Sequence, residues 1–117
     1  MHRDFEPDRG SARSVRRFVE EAIPFAPRVD DIVLGASELA SNVIRYAKTR
    51  FTVRLSAVDD MIRLEVSDGS SIIPAIEDLT ESFRGLRMLE AVSERWGVEA
   101  TETGKTIWAE FTSHPKA

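Results

Sequence analysis

Two runs of the chain alternate apolar and polar side chains with a period of two. Phe51, Val53, Leu55 and Ala57 are interleaved with Thr52, Arg54 and Ser56, and Ile62, Leu64 and Val66 with Arg63, Glu65 and Ser67. That period belongs to strands with one buried face, and Asp59-Asp60 between the runs marks the turn of a hairpin. Residues 96–101 and 106–111 form a second pair around Glu102-Thr103-Gly104-Lys105. A sheet that is apolar on one side only must be covered there, so the rest of the chain has to supply the cover.

Three segments have the helical period needed for it. Val15, Phe18, Val19 and Ala22 recur at helical spacing behind Ser11, the expected N-cap. Arg13, Arg16 and Arg17 read as a solvated face balanced by Glu20 and Glu21, and Pro24 and Pro27 mark the connection that follows. A second helix is expected from Asp30 or Asp31 through Leu39 and Val43 to about Ala47, with Lys48 and Arg50 at its C-terminal end. A third begins at Gly85 and runs through Leu86, Leu89 and Val92. Phe5 suits a short edge strand, residues 70–83 lack a period and read as a loop, and residues from Ser113 onward read as a frayed tail. The expected fold is α+β: one domain over 1–117, a two-layer sandwich with a mixed, mostly antiparallel sheet and helices on one face.

Composition narrows the chemistry. With 117 residues, 42% hydrophobic and 31% charged, the chain is ordinary globular material able to bury its own core. A net charge of -4 lacks the basic footprint of a nucleic-acid binder. The absence of cysteine rules out disulfides and thiolate metal sites, and the histidines at 2 and 114 are too far apart in sequence to suggest a ligand pair. No apolar run approaches the ~20 residues of a membrane-spanning helix, and the polar start lacks a signal-peptide core; the cytoplasm is the expected compartment.

Three features interrupt the regular pattern. Glu38 and Asn42 lie four residues apart on the second helix, so they share a face with Arg45 or Tyr46 one turn on. A carboxylate there is a candidate proton acceptor, and a carboxamide oxygen suits a hard cation carrying phosphates. Taken alone, the group is also what a solvated helix face carries. Asp68-Gly69 places an acidic acceptor at a strand end, where glycine lets the backbone turn. Phe83-Arg84-Gly85-Leu86 opens the third helix, where free N–H groups make an anion site. Gly104-Lys105-Thr106-Ile107-Trp108 is a weaker fourth piece, a glycine turn feeding a strand.

In this order the pieces resemble the ATP-binding domain of the histidine-kinase-like superfamily (the Bergerat fold), which also contains gyrase and the MutL repair proteins. More narrowly they resemble the small bacterial serine kinases that act as anti-sigma factors. The matching residues are Glu38-Leu39-x-x-Asn42-x-x-x-Tyr46-Ala47, Val66-Ser67-Asp68-Gly69-Ser70, Arg84-Gly85-Leu86 and Gly104-Lys105-Thr106-Ile107-Trp108, with Trp96-Gly97-Val98 as a further match. The resemblance implies ATP and Mg²⁺ as cofactors, with Asn42 on the metal and Glu38 as general base toward a serine hydroxyl. It implies that Asp68 and Gly69 hold the adenine, Thr106 helping, and that Arg84, Gly85 and Leu86 face the phosphates. The implied partners are a sigma factor and an anti-sigma factor antagonist, with a homodimer as a further expectation. Phe83 replaces the first glycine of the family's Gly-x-Gly-Leu motif, and Ser70 stands where many relatives have a second glycine. Those departures carry the alternative expectation of a partner-binding module with weak or lost ATP binding.

Overall fold

The structure, a computed structural model, describes residues 1–72 and 84–114. Five strands and three helices follow in the order β1 (His2–Phe5), α1 (Ser11–Ala22), α2 (Val29–Asn42), β2 (Phe51–Val58), β3 (Met61–Asp68), α3 (Arg84–Val92), β4 (Arg95–Ala100) and β5 (Lys105–Thr112). Between α2 and β2 the helix continues as a π-helical turn, Val43–Ala47. The strands lie in the order β1-β2-β3-β5-β4, and every ladder is antiparallel. The expected two-layer α+β sandwich is therefore present, and no mixed pairing occurs among the described strands.

The period of two does what the sequence requires. Phe51, Val53, Leu55, Leu64, Val66, Ile107, Ala109 and Phe111 are buried on the helix side of the sheet. Val15, Phe18 and Val19 of α1, Ile32, Ala36 and Leu39 of α2 and Leu86 and Leu89 of α3 close over them. Phe5 joins this core from the edge strand, stacked on Phe51 at 5.5 Å and edge-on to Phe18 at 6.2 Å. Aromatic pairs at such distances add about 0.5–1.5 kcal/mol beyond the area they bury.

Two helix starts differ from expectation by a residue or two. Ser11 is the first residue of α1 rather than its cap; Gly10 holds the cap position and makes no side-chain bond. The Ser11 hydroxyl turns back to the preceding loop instead, donating to the Glu6 carbonyl at 2.7 Å. In α2, Val29 opens the helix and Asp30 and Asp31 occupy its first turn, where the dipole favours negative charge. Arg28 bonds Asp31 at 2.7 Å and the Val92 carbonyl at 3.1 Å, tying the start of α2 to the end of α3.

The outer face of the sheet is polar and knit together. Glu110 is 2% exposed there, its Oε2 accepting from Arg63 at 2.9 Å and its Oε1 from Arg95. Burial pushes the Glu110 carboxyl up, but the hydrogen bonds and charges of Arg95 and Arg63 outweigh it and hold the group below the usual carboxylate range. The Arg63 guanidinium also lies over the Trp108 ring at 4.2 Å. Trp108 in turn lies across Gly97, where a Cβ would come within 2.8 Å of the indole.

Candidate functional site

Parity along β3 places the site. Asp68 is two residues beyond Val66 and four beyond Leu64, so it shares their face and points to the interior although it is charged. Its cross-strand partner in β5 is Lys105, which has the parity of Ile107 and Ala109 and so faces the same way. The two side chains form a buried ion pair, Lys105 Nζ donating to Asp68 Oδ1 at 3.0 Å. The Ser70 N–H donates to the same oxygen at 2.8 Å. No hydrogen bond among the described residues ends on Oδ2.

Above this pair lies a cavity of about 160 Å³. Leu39, Asn42, Val43, Tyr46 and Ala47 line it from the helix, and Val66, Asp68, Ser70, Ile72, Lys105 and Ile107 from the sheet side. The π-helical turn builds the helical wall. Lys48 N–H donates to the Val43 carbonyl at 2.7 Å, an i to i+5 bond, and Lys48 ends the turn in the left-handed region at φ 57°. The wider turn brings Tyr46 and Ala47 to the cavity together with Asn42 and Val43, and such turns concentrate at functional sites. The result is an apolar slot with a charged pair at one end and a carboxamide on its wall. A cavity of about this size takes a single small aromatic ring, and the polar end suits a heterocycle with hydrogen-bonding atoms on its edge.

A model of the histidine kinase-like ATPase domain matches residues 5–111. The chain belongs to that family. The crystal structure of the RsbU and RsbW domains of a Mycobacterium tuberculosis protein superposes with a TM-score of 0.75 at 21% identity, covering 96% of this chain and 32% of that one. The likeness shows the fold, and this chain spans about a third of that longer molecule. No curated protein matches the sequence.

For a histidine kinase-like ATPase domain, the expected residues fall into four groups. Asn42 and Asp68 come together in one cavity, from the helix and the strand end respectively. Glu38 is half-buried one turn before Asn42 and is not part of the lining. Thr106 does not join them. It pairs with Ser67, one register step from Asp68, so it faces the outer side of the sheet, where its Oγ1 is 2.7 Å from Ser67 Oγ. Gly69 lines an outer-face groove with Thr106 rather than the cavity. Arg84, Gly85 and Leu86 form the first turn of α3, but Leu86 is fully buried in the core. The side chains of Arg84 and Gly85 and all of Phe83 lie outside the described residues.

Lys105, which no site expectation names, lines the cavity, and the glycine that the packing requires is Gly104 rather than Gly69. Gly69 does not have a positive φ, and a Cβ there would make near-ordinary contact with Thr49 at 3.4 Å. Gly104 is the residue without room: a Cβ would lie 2.0 Å from the Asp68 carbonyl oxygen. The β4–β5 turn thus presses on the backbone that carries Asp68. Counting parity back from Ile107 would have put Lys105 on the inner face.

The donors present fit a magnesium-bound nucleotide. No group of three or more Asp, Glu, His or Cys side chains converges among the described residues. Magnesium is usually held by one or two protein oxygens together with substrate phosphates, and Asn42 supplies such an oxygen at the cavity wall.

Proposed function

We propose that this domain binds Mg·ATP in the cavity and acts as a regulatory serine kinase of the anti-sigma factor type. It would hold a sigma factor inactive and phosphorylate a serine on the antagonist protein that competes for it. A cytoplasmic location and pairing of two copies belong to the same proposal. The observation that carries it is the cavity itself, which joins the Asn42 carboxamide and the Asp68 carboxylate across an apolar slot.

Bound Mg·ATP supplies the transferable phosphoryl group; the chain supplies position and charge. Val43, Val66 and Ile107 would exclude water around the base, and Asp68 would accept from its exocyclic amino group. Asn42 would offer a hard oxygen to the magnesium ion. Glu38, one turn away on the same helix, takes the proton of the attacking serine hydroxyl.

Isothermal titration with Mg·ATP, followed by labelled-ATP transfer onto candidate antagonist proteins, tests the proposal. Glu38→Ala should keep nucleotide binding and lose about a hundredfold or more in transfer, the usual scale of a general base. Transfer at the wild-type rate would show the base to be misassigned.

One observation favours a second reading, a partner-binding module with weak or lost turnover. Lys105 and the Ser70 N–H already occupy Asp68 Oδ1, and Phe83 replaces a motif glycine. An absence of both heat and thermal shift at millimolar Mg·ATP decides for the module.

A further inference from the structure

A lone carboxylate at the end of a base pocket is selective by repulsion. It accepts from the 6-amino group of adenine and opposes the 6-oxo group of hypoxanthine or guanine, because two acceptors then face each other. This site does not present a lone carboxylate. Lys105 is 6% exposed, its ammonium 3.0 Å from Asp68 Oδ1, and both side chains line the cavity. The polar end therefore offers a donor and an acceptor side by side. An ammonium has no acceptor capacity, and its remaining N–H groups have one further described neighbour, the Ser70 carbonyl at 3.5 Å, the weak limit of a hydrogen bond.

We propose that Lys105 sets the base selectivity of the cavity and admits 6-oxopurine nucleotides alongside adenine nucleotides. An oxopurine presents an acceptor, O6, next to a donor, N1–H. Lys105 would donate to O6 while Asp68 accepts from N1–H. Adenine presents the reverse order, N1 as acceptor and the 6-amino group as donor; Lys105 then donates to N1 and Asp68 accepts from the 6-amino group, each keeping its role while the base is turned over along that edge. In both cases Oδ2 of Asp68, which receives no bond from the described residues, is the oxygen left for the base. Burial gives the arrangement its weight, since an unmatched polar group in a dry pocket discriminates far more strongly than one in water.

The inference rests on the nucleotide reading above, and the experiment separates their failures. Inosine triphosphate differs from ATP only along the 6-position edge, so it avoids the bulk of the guanine 2-amino group. Titration of the wild-type chain with Mg·ATP and Mg·ITP should give dissociation constants within about tenfold of each other. Lys105→Met should keep ATP and weaken ITP by about tenfold or more, whereas Lys105→Gln, which retains a neutral donor, should fall between. The ratio of the two affinities is the readout, because a purely structural lysine would change both together. ATP binding with ITP rejected by more than about tenfold in the wild type overturns the inference and leaves the nucleotide reading standing. An ITP-to-ATP ratio unchanged in both variants does the same. If Lys105→Met does not fold, the wild type and Lys105→Gln decide between these outcomes. Binding of neither nucleotide overturns both.

Discussion

The sheet buries one carboxylate in an ion pair on each of its faces, and the two are satisfied differently. Glu110, on the outer face, has an arginine on each oxygen, Arg63 on Oε2 and Arg95 on Oε1. Asp68, on the inner face, receives on Oδ1 both of the bonds that described residues make to it, and borders a cavity. A carboxylate with both oxygens occupied is a structural clamp. One that borders a cavity, with an oxygen no described residue bonds, is on the proposed reading the acceptor for a base. The distinction follows from neighbours and not from residue type, because both are acids paired with a base in the same antiparallel ladder.

The strongest challenge to that contrast is to move the backbone beneath Asp68. Gly104→Ala places a methyl group against the Asp68 carbonyl and should cost about 3 kcal/mol, the upper range for overpacking, measured by urea unfolding. Cavity ligation should fail with it, leaving the Glu110 clamp as the surviving pair.

Glu110→Ala should cost somewhat less, about 2 kcal/mol. It takes a partner from two arginines, but Arg63 keeps Glu65 at 3.4 Å, and Arg95 is 67% exposed, so water relieves its loss. It should leave nucleotide affinity unchanged, which would not hold if the outer face were part of the site.

The acid limb of stability sharpens the same point. Because the folded protein holds Glu110 below its unfolded pKa, its contribution is complete above about pH 4.3 and is lost as the pH falls through the lower folded value. The stability gap between wild type and Glu110→Gln should therefore be full at neutral pH and close on acidification, in urea titrations at stepped pH. A gap independent of pH would show that the carboxylate charge contributes nothing.

Asp68→Asn should reverse the pattern. The amide oxygen can still accept from Ser70 and Lys105, but the buried ammonium loses its counter-charge, so stability should fall by about 1.5 kcal/mol. Mg·ATP affinity should fall by about tenfold or more as the acceptor facing the base loses its charge. If instead stability falls as far as in Glu110→Ala and affinity does not move, Asp68 is a second clamp and the contrast collapses. The smallest effect is expected at Arg54→Ala. Its guanidinium is half exposed and 3.9 Å from Glu65, and such pairs contribute about 0.5 kcal/mol or less.

Much of the fold was legible because its signals are local. The alternation in residues 51–67 and the helical spacing of Val15, Phe18 and Val19 depend only on which side chains must leave water. The Ser11 cap was misjudged because Gly10 and Ser11 are both acceptable at a helix start, and only the preceding loop, with its Glu6 carbonyl in reach, chose between them. The pairing of Asn42 with Asp68 was reachable by motif resemblance. The π-helical turn that brings Tyr46 and Ala47 to the same cavity was not, since an i to i+5 bond leaves no mark in composition. Thr106 and Lys105 are adjacent in sequence; the resemblance names Thr106, whereas the residue beside Asp68 on the inner face is Lys105.

By itself, the order of residues determined that this chain makes a one-sided sheet under amphipathic helices, and which acids and amides interrupt that pattern. Those outcomes follow from hydrophobic periodicity, which each segment carries within itself. Tertiary structure decided what the interruptions do: strand register set Lys105 against Asp68 and Thr106 against Ser67, and the close approach of Gly104 brought the hairpin turn against the backbone of Asp68. The physical reason is that a one-residue shift between β3 and β5 exchanges every facing side chain, and that shift is set by long-range packing no single segment encodes.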